Sequence, residues 1–410
     1  MTKERDYFFD NVKAVLMFLV VLGHLLLPIH GESFLVVVKR LIYVFHMPLF
    51  VFVSGYFAKT FYKNGRYNYR KLLYLGKAYL VFVVAIQLVY AISGYQAFSQ
   101  INFFSQSGAP WYLFAMIAWY LTIPAVHGRY PALVLGLSLV LALGAGFFQE
   151  IGDFLCLSRI MVFGPFFYLG YYMERETMQR LLQNRYRRAV VPMAGLLAVG
   201  ILVFGQRLED PLSMVYENFS YYELENVRSG LLVRLILLLA ACILSWALLF
   251  FVPQRKTRIS AVGQNTMPVY MLHRIFRDIL MFSGIYEHVE DGGLSVLLLF
   301  GLLSIGMISV FSRPAVVRMW NRLLALYTPQ WLCRIRSANV SGVRQQRWKR
   351  NGRCGVSLRR IRILFIQEMN IIIDLLKIND TVPVPYGDGD FCVEAIDDRI
   401  DRGRKIIDEH

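Results

Sequence analysis

Three ionisable side chains lie on one face of an otherwise apolar stretch near the amino end, Asp10, Lys13 and His24 within RDYFFDNVKAVLMFLVVLGH (Arg5 to His24). At 100° per residue, Lys13 and His24 fall about 20° apart on a helix, and Asp10 about 40° from His24. A rise of 1.5 Å per residue separates Lys13 from His24 by roughly 16 Å, about half of a ~30 Å hydrocarbon core. One face therefore joins a membrane surface to its interior. A charge at that depth costs about 2.5 kcal/mol or more, and even a neutral imidazole there needs a partner, so the residues read as functional. Histidine titrates near neutrality, which suits it to take the proton of a hydroxyl that cannot attack unaided.

A second stretch, HMPLFVFVSGYF (His46 to Phe57), places another histidine two residues before Pro48. Proline has no N–H and crowds the carbonyl four residues earlier, so a bend and a free acceptor are expected at Val44. Ser54 and Gly55, two turns on, are small enough for close helix contact or a ligand.

The leading Arg and Asp, the basic residue ahead of GH, and FHMPLFVFVSGYF resemble the membrane-bound acyltransferase 3 family, in particular its fucose 4-O-acetylase-like branch. GAPWYLFAMIAWYL (Gly108 to Leu121), SRIMVFGPFFYLGYY (Ser158 to Tyr172) and VGQNTMPVYMLH (Val262 to His273) agree with it. The wider family has Arg where this chain has Lys13. The resemblance covers residues 1–314. It implies acetyl-CoA or another acyl-CoA as the donor substrate on the cytoplasmic side, no bound cofactor, and a hydroxyl of a cell-surface polysaccharide or lipid-linked sugar as acceptor.

The elements that must position these groups follow from composition. The chain has 410 residues, 56% of them hydrophobic and 18% charged, with mean hydropathy +0.46, as expected of an all-α, polytopic integral membrane helical bundle in the cell (inner) membrane. The net charge of +16 is read as cytoplasmic loops rather than a nucleic-acid surface. Five scattered cysteines without CxxC spacing indicate neither a disulfide framework nor a metal site. Oligomeric state is not written in the sequence.

Ten apolar stretches have membrane-helix length, at residues 12–28, 34–57, 72–93, 110–126, 130–148, 159–173, 189–205, 231–252, 262–283 and 294–312. The connections alternate in charge. Lys59 to Lys71 and Arg175 to Arg188 are basic, residues 94–109 hold no Lys or Arg, and Glu209 to Glu225 is acidic. Short cytoplasmic loops are the basic ones, so ten transmembrane helices with both termini in the cytoplasm are expected. Beyond the acyltransferase-like domain, residues 315–367 form a basic cytoplasmic segment suited to anionic lipid. Residues 368–410 are an acidic tail of no assigned role.

In that arrangement Asp10 and Lys13 stand at the cytoplasmic mouth and His24 past the midplane. His46, Arg159 and His273 come from three other spans. His24 is the expected base, with Asp10 and Lys13 in catalytic support, although a simple helix ion pair accounts equally well for those two. His46, Ser54, Trp111, Tyr112, Arg159, Asn265 and His273 are the expected substrate-binding groups, some of them donors to a developing oxyanion. Trp111 and Tyr112 also suit an interfacial aromatic belt, and Asn265 a helix cap. A transporter with a His24–His46 proton relay is the alternative.

Overall fold

The computed structural model describes residues 6–31, 33–63, 66–95, 108–128, 130–148, 155–205, 220–223, 227–289 and 292–326. Much of the acidic connection 209–225 and the whole tail 368–410 lie outside the described residues; of the basic segment 315–367, only residues up to Leu326 lie inside them.

Helix α1 (Tyr7–Leu26) starts where Asp6 accepts a hydrogen bond from the amide of Phe8 at 3.2 Å, a side-chain cap for an otherwise unsatisfied donor. Ser33 caps α2 (Phe34–Ala58) in the same way. Pro48 does not end α2, which runs on for ten residues beyond it. A two-residue antiparallel pair, β1 (Tyr62–Lys63) and β2 (Arg66–Tyr67), leads into α3 (Tyr69–Ile92). Then come α4 (Trp111–Val126), α5 (Pro131–Gly144), α6 (Leu157–Tyr172), α7 (Arg175–Leu181), α8 (Asn184–Phe204) and α9 (Val227–Leu249). The described chain closes with α10 (Ser260–Gln264), α11 (Thr266–Phe282), α12 (Gly293–Phe311) and α13 (Pro314–Leu326).

Six of these helices are long and apolar enough to cross a membrane, α1, α2, α3, α8, α9 and α12. Helix α4 and the stretch Pro131–Phe147 are apolar but shorter. The ninth stretch, expected as one span over 262–283, is divided at Asn265, whose φ of −126° and ψ of 42° leave the helix. Pro268 lies in the first turn of α11, where its missing N–H costs nothing.

Helices α1 and α2 form the centre. Val12, Leu16, Leu25, Leu35 and Val51 are fully excluded from solvent. Helices α2 and α6 approach closely enough that a Cβ on Gly55 would run into the Phe167 carbonyl, and one on Gly170 into the Phe52 carbonyl. Such mutual small-residue contact lets backbones pack where lipid removes the hydrophobic drive between helices. The outward faces of α5, α8 and α12 expose Leu133, Val140, Leu196, Val199, Leu298 and Leu302, a surface suited to acyl chains rather than water.

Candidate active site

His24 and His273 meet at the heart of the bundle. His24 Nδ1 and His273 Nε2 are 2.8 Å apart, and His273 Nδ1 is 2.8 Å from the Val269 carbonyl. A carbonyl only accepts, so His273 Nδ1 carries a proton, and the neutral ring then accepts at Nε2. His24 therefore donates from Nδ1 and keeps the lone pair on Nε2. His273 is wholly buried, whereas His24 lines a cleft of about 100 Å³. The pair thus presents one basic nitrogen to that cleft, its ring orientation held from behind by a second histidine.

Four further polar side chains line the cleft, Tyr43, Trp111, Arg159 and Arg274. Tyr43 stands between the histidines of α1 and α2, 6.4 Å from the His24 ring and 4.8 Å from that of His46. Gly23 makes room for it, since a Cβ there would sit 3.1 Å from the Tyr43 ring. Arg159 packs 5.7 Å over the Trp111 ring, which itself stacks on Phe163 at 5.2 Å. Arg274 is held on two sides, by Asp278 at 2.7 Å and by the Tyr90 hydroxyl at 2.9 Å. Asp278 also meets Arg277 at 3.1 Å and is itself fully buried.

Among the expected binding residues, His24, Trp111 and Arg159 line the cleft, with His273 directly behind. The others stand elsewhere. His46 Nδ1 donates to the Ile42 carbonyl of its own helix at 2.8 Å. Ser54 donates to Phe50 at 2.9 Å and takes a hydrogen bond from the Tyr112 hydroxyl, a buried pair beside the cleft rather than in it. Asn265 donates to the Ala261 carbonyl at 3.0 Å and lies eight residues, roughly 12 Å of helix, from His273. Asp278 pairs with arginines, not with His273, so the HRIFRD segment is not an acid–histidine couple.

Asp10 and Lys13 mark the opposite end of α1. They form an ion pair at 3.0 Å, with Gln264 donating to the second Asp10 oxygen at 3.3 Å. Gly263 lies against the Asp10 backbone so tightly that no side chain fits. Asn11, fully buried, donates to the carbonyls of Pro253 and Arg255 and accepts from Thr257 and Ser260, all at 2.7–2.9 Å. Lys59 closes this end over the Tyr56 ring at 4.4 Å. Its ammonium pKa is lowered by burial, with Glu174 and Glu176 opposing.

Sequence reasoning missed Tyr43, Tyr90, Arg274 and Asn11. Arg274, Arg277 and Asp278 carried a signal, since three charged residues inside an apolar stretch are costly unless they serve something. Tyr43 and Tyr90 carried none, because tyrosine is ordinary in such helices.

A helical bundle with apolar outer faces and a histidine-and-arginine cleft in its interior defines a multi-pass membrane enzyme. The chain belongs to the acyltransferase 3 family, whose profile, described as an acyltransferase domain, matches residues 6–313. The protein is an acyltransferase. It is similar to the nodulation protein NolL of Sinorhizobium fredii, 52% identical over 58 residues, which is 13% of this chain and 16% of that protein. No solved structure matches it.

Proposed function

We propose that the protein is an O-acyltransferase of the inner membrane that moves an acetyl or other short acyl group from acyl-CoA to a hydroxyl of a cell-surface polysaccharide or lipid-linked sugar. The observation that supports this most directly is the His24–His273 hydrogen bond, which leaves a neutral base in a cleft. His24 Nε2 takes the hydroxyl proton as the oxygen attacks the thioester carbonyl. The tetrahedral oxyanion forms beside the Arg274 guanidinium, whose position Asp278 and Tyr90 fix in advance. The intermediate then collapses, the C–S bond breaks, and His24 returns its proton to the leaving CoA thiolate.

The donor nucleotide fits the Asp10 end, where Lys13, Lys59 and Lys256 gather beside Phe57, Tyr56 and Tyr7. From there the thioester reaches about 16 Å along α1 to His24, a task for the extended pantetheine arm. The cleft opens at the other end, between the starts of α4 and α6, where a sugar enters from outside. This reading keeps ten spans and cytoplasmic termini.

Purified protein given labelled acetyl-CoA and candidate sugars should release CoA and label the sugar. Transport of a sugar or a proton without CoA release above background overturns the reading.

A further inference from the structure

The cleft carries more positive charge than the reaction itself calls for. Arg159 and Arg274 both line it, only 6% and 7% exposed, around a space of about 100 Å³. Arg277 lies behind, and it shares a single Asp278 oxygen with Arg274. No Asp or Glu lines the cleft among the described residues. A transient oxyanion needs one fixed cation, and Arg274 is clamped for that role. Arg159 comes from a different helix and is set against the Trp111 face instead. Two desolvated cations in so small a space repel each other, and a bound anion offsets both.

We propose that the acceptor is an acidic saccharide. Its carboxylate or phosphate pairs with Arg159 while its apolar face rests on Trp111 and the hydroxyl to be acylated lies at His24. A guanidinium fork matches either anion in a bidentate manner, and an aromatic face beside it suits a sugar ring. The assignment to the acceptor, rather than to the phosphates of the donor, rests on the acyl-transfer reading, because the cleft opens at the end of α1 opposite Lys13. The anion site itself does not depend on that reading.

Binding of glucuronate, glucose 1-phosphate and glucose to the full-length protein in detergent tests this, with CoA release from acetyl-CoA measured alongside. At least one acidic sugar should bind tenfold or more tightly than glucose, and glucuronate against glucose 1-phosphate tells carboxylate from phosphate. Arg159→Gln should remove the preference at an unchanged melting temperature, and Arg159→Lys should keep part of it. Trp111→Leu should weaken all three sugars while keeping their order. Equal binding of acidic and neutral sugars, binding of none, a preference that survives Arg159→Gln, or displacement of glucuronate by CoA would each overturn the proposal. Acidic sugars that bind without CoA release sink the acyl-transfer reading and leave the anion site standing. Equal CoA release with glucose and glucuronate does the reverse.

Discussion

His24 and His273 lie 249 residues apart in the chain and 2.8 Å apart in space, and the Val269 carbonyl dictates which of them donates. Because His273 Nδ1 must donate to that carbonyl, its Nε2 accepts, and the proton between the two rings belongs to His24. The result is a base that needs no carboxylate to hold its tautomer. A buried carboxylate does exist nearby, but the arginines occupy it.

The two histidines should therefore fail differently. His24→Gln removes the base and should lower kcat by about 10²–10⁴-fold. His273→Gln leaves the base but loosens its ring, so kcat should fall by less, with KM for the acceptor nearly unchanged. Rates of CoA release at saturating donor compare them. Equal losses, or wild-type rates for His24→Gln, would remove His24 from its role.

Asp278→Asn tests the arginine clamp. It leaves Arg274 and Arg277 in the interior without their shared counter-charge, and breaking a buried pair by removing one partner costs about 3–5 kcal/mol. A large drop in melting temperature is expected. If Arg274 acts on the oxyanion, what folds should also turn over slowly, whereas Tyr90→Phe should affect turnover with little change in melting.

Gly55→Val probes the α2–α6 contact. The new side chain would meet the Phe167 carbonyl, and overpacking of this kind costs about 1–3 kcal/mol when the helices can shift and more when they cannot. Loss of thermal stability, or of folded protein on gel filtration, is the expected outcome. By contrast Gly76→Ala, where nothing lies within 4 Å of the new Cβ, should be silent.

Asn11→Ala should prove as harmful as a change in the cleft, though it lies at the other end of α1. It deletes four hydrogen bonds and strands their buried partners, at about 1–3 kcal/mol for each group left unsatisfied. Proteolysis between α9 and α11 should accelerate, since Asn11 ties that connection to α1. Wild-type resistance would show the network to be dispensable.

Composition and period decide much of this protein before it folds. Runs of Val, Leu and Phe at membrane length specify helices, a lone histidine within them marks a site, and paired small residues mark close approach, because each signal is local in the chain. Asn265 with Pro268 shows how a local signal can also be overlooked, for the break between α10 and α11 is written there. Tertiary structure alone decided that His24 pairs with His273 while His46 turns to its own helix. It also decided that Arg274, rather than Asn265, shares the cleft with Arg159. Which faces meet depends on the rotation and axial register of each helix against its neighbours. Those are set by packing between residues hundreds of positions apart, and no periodicity within one helix encodes them.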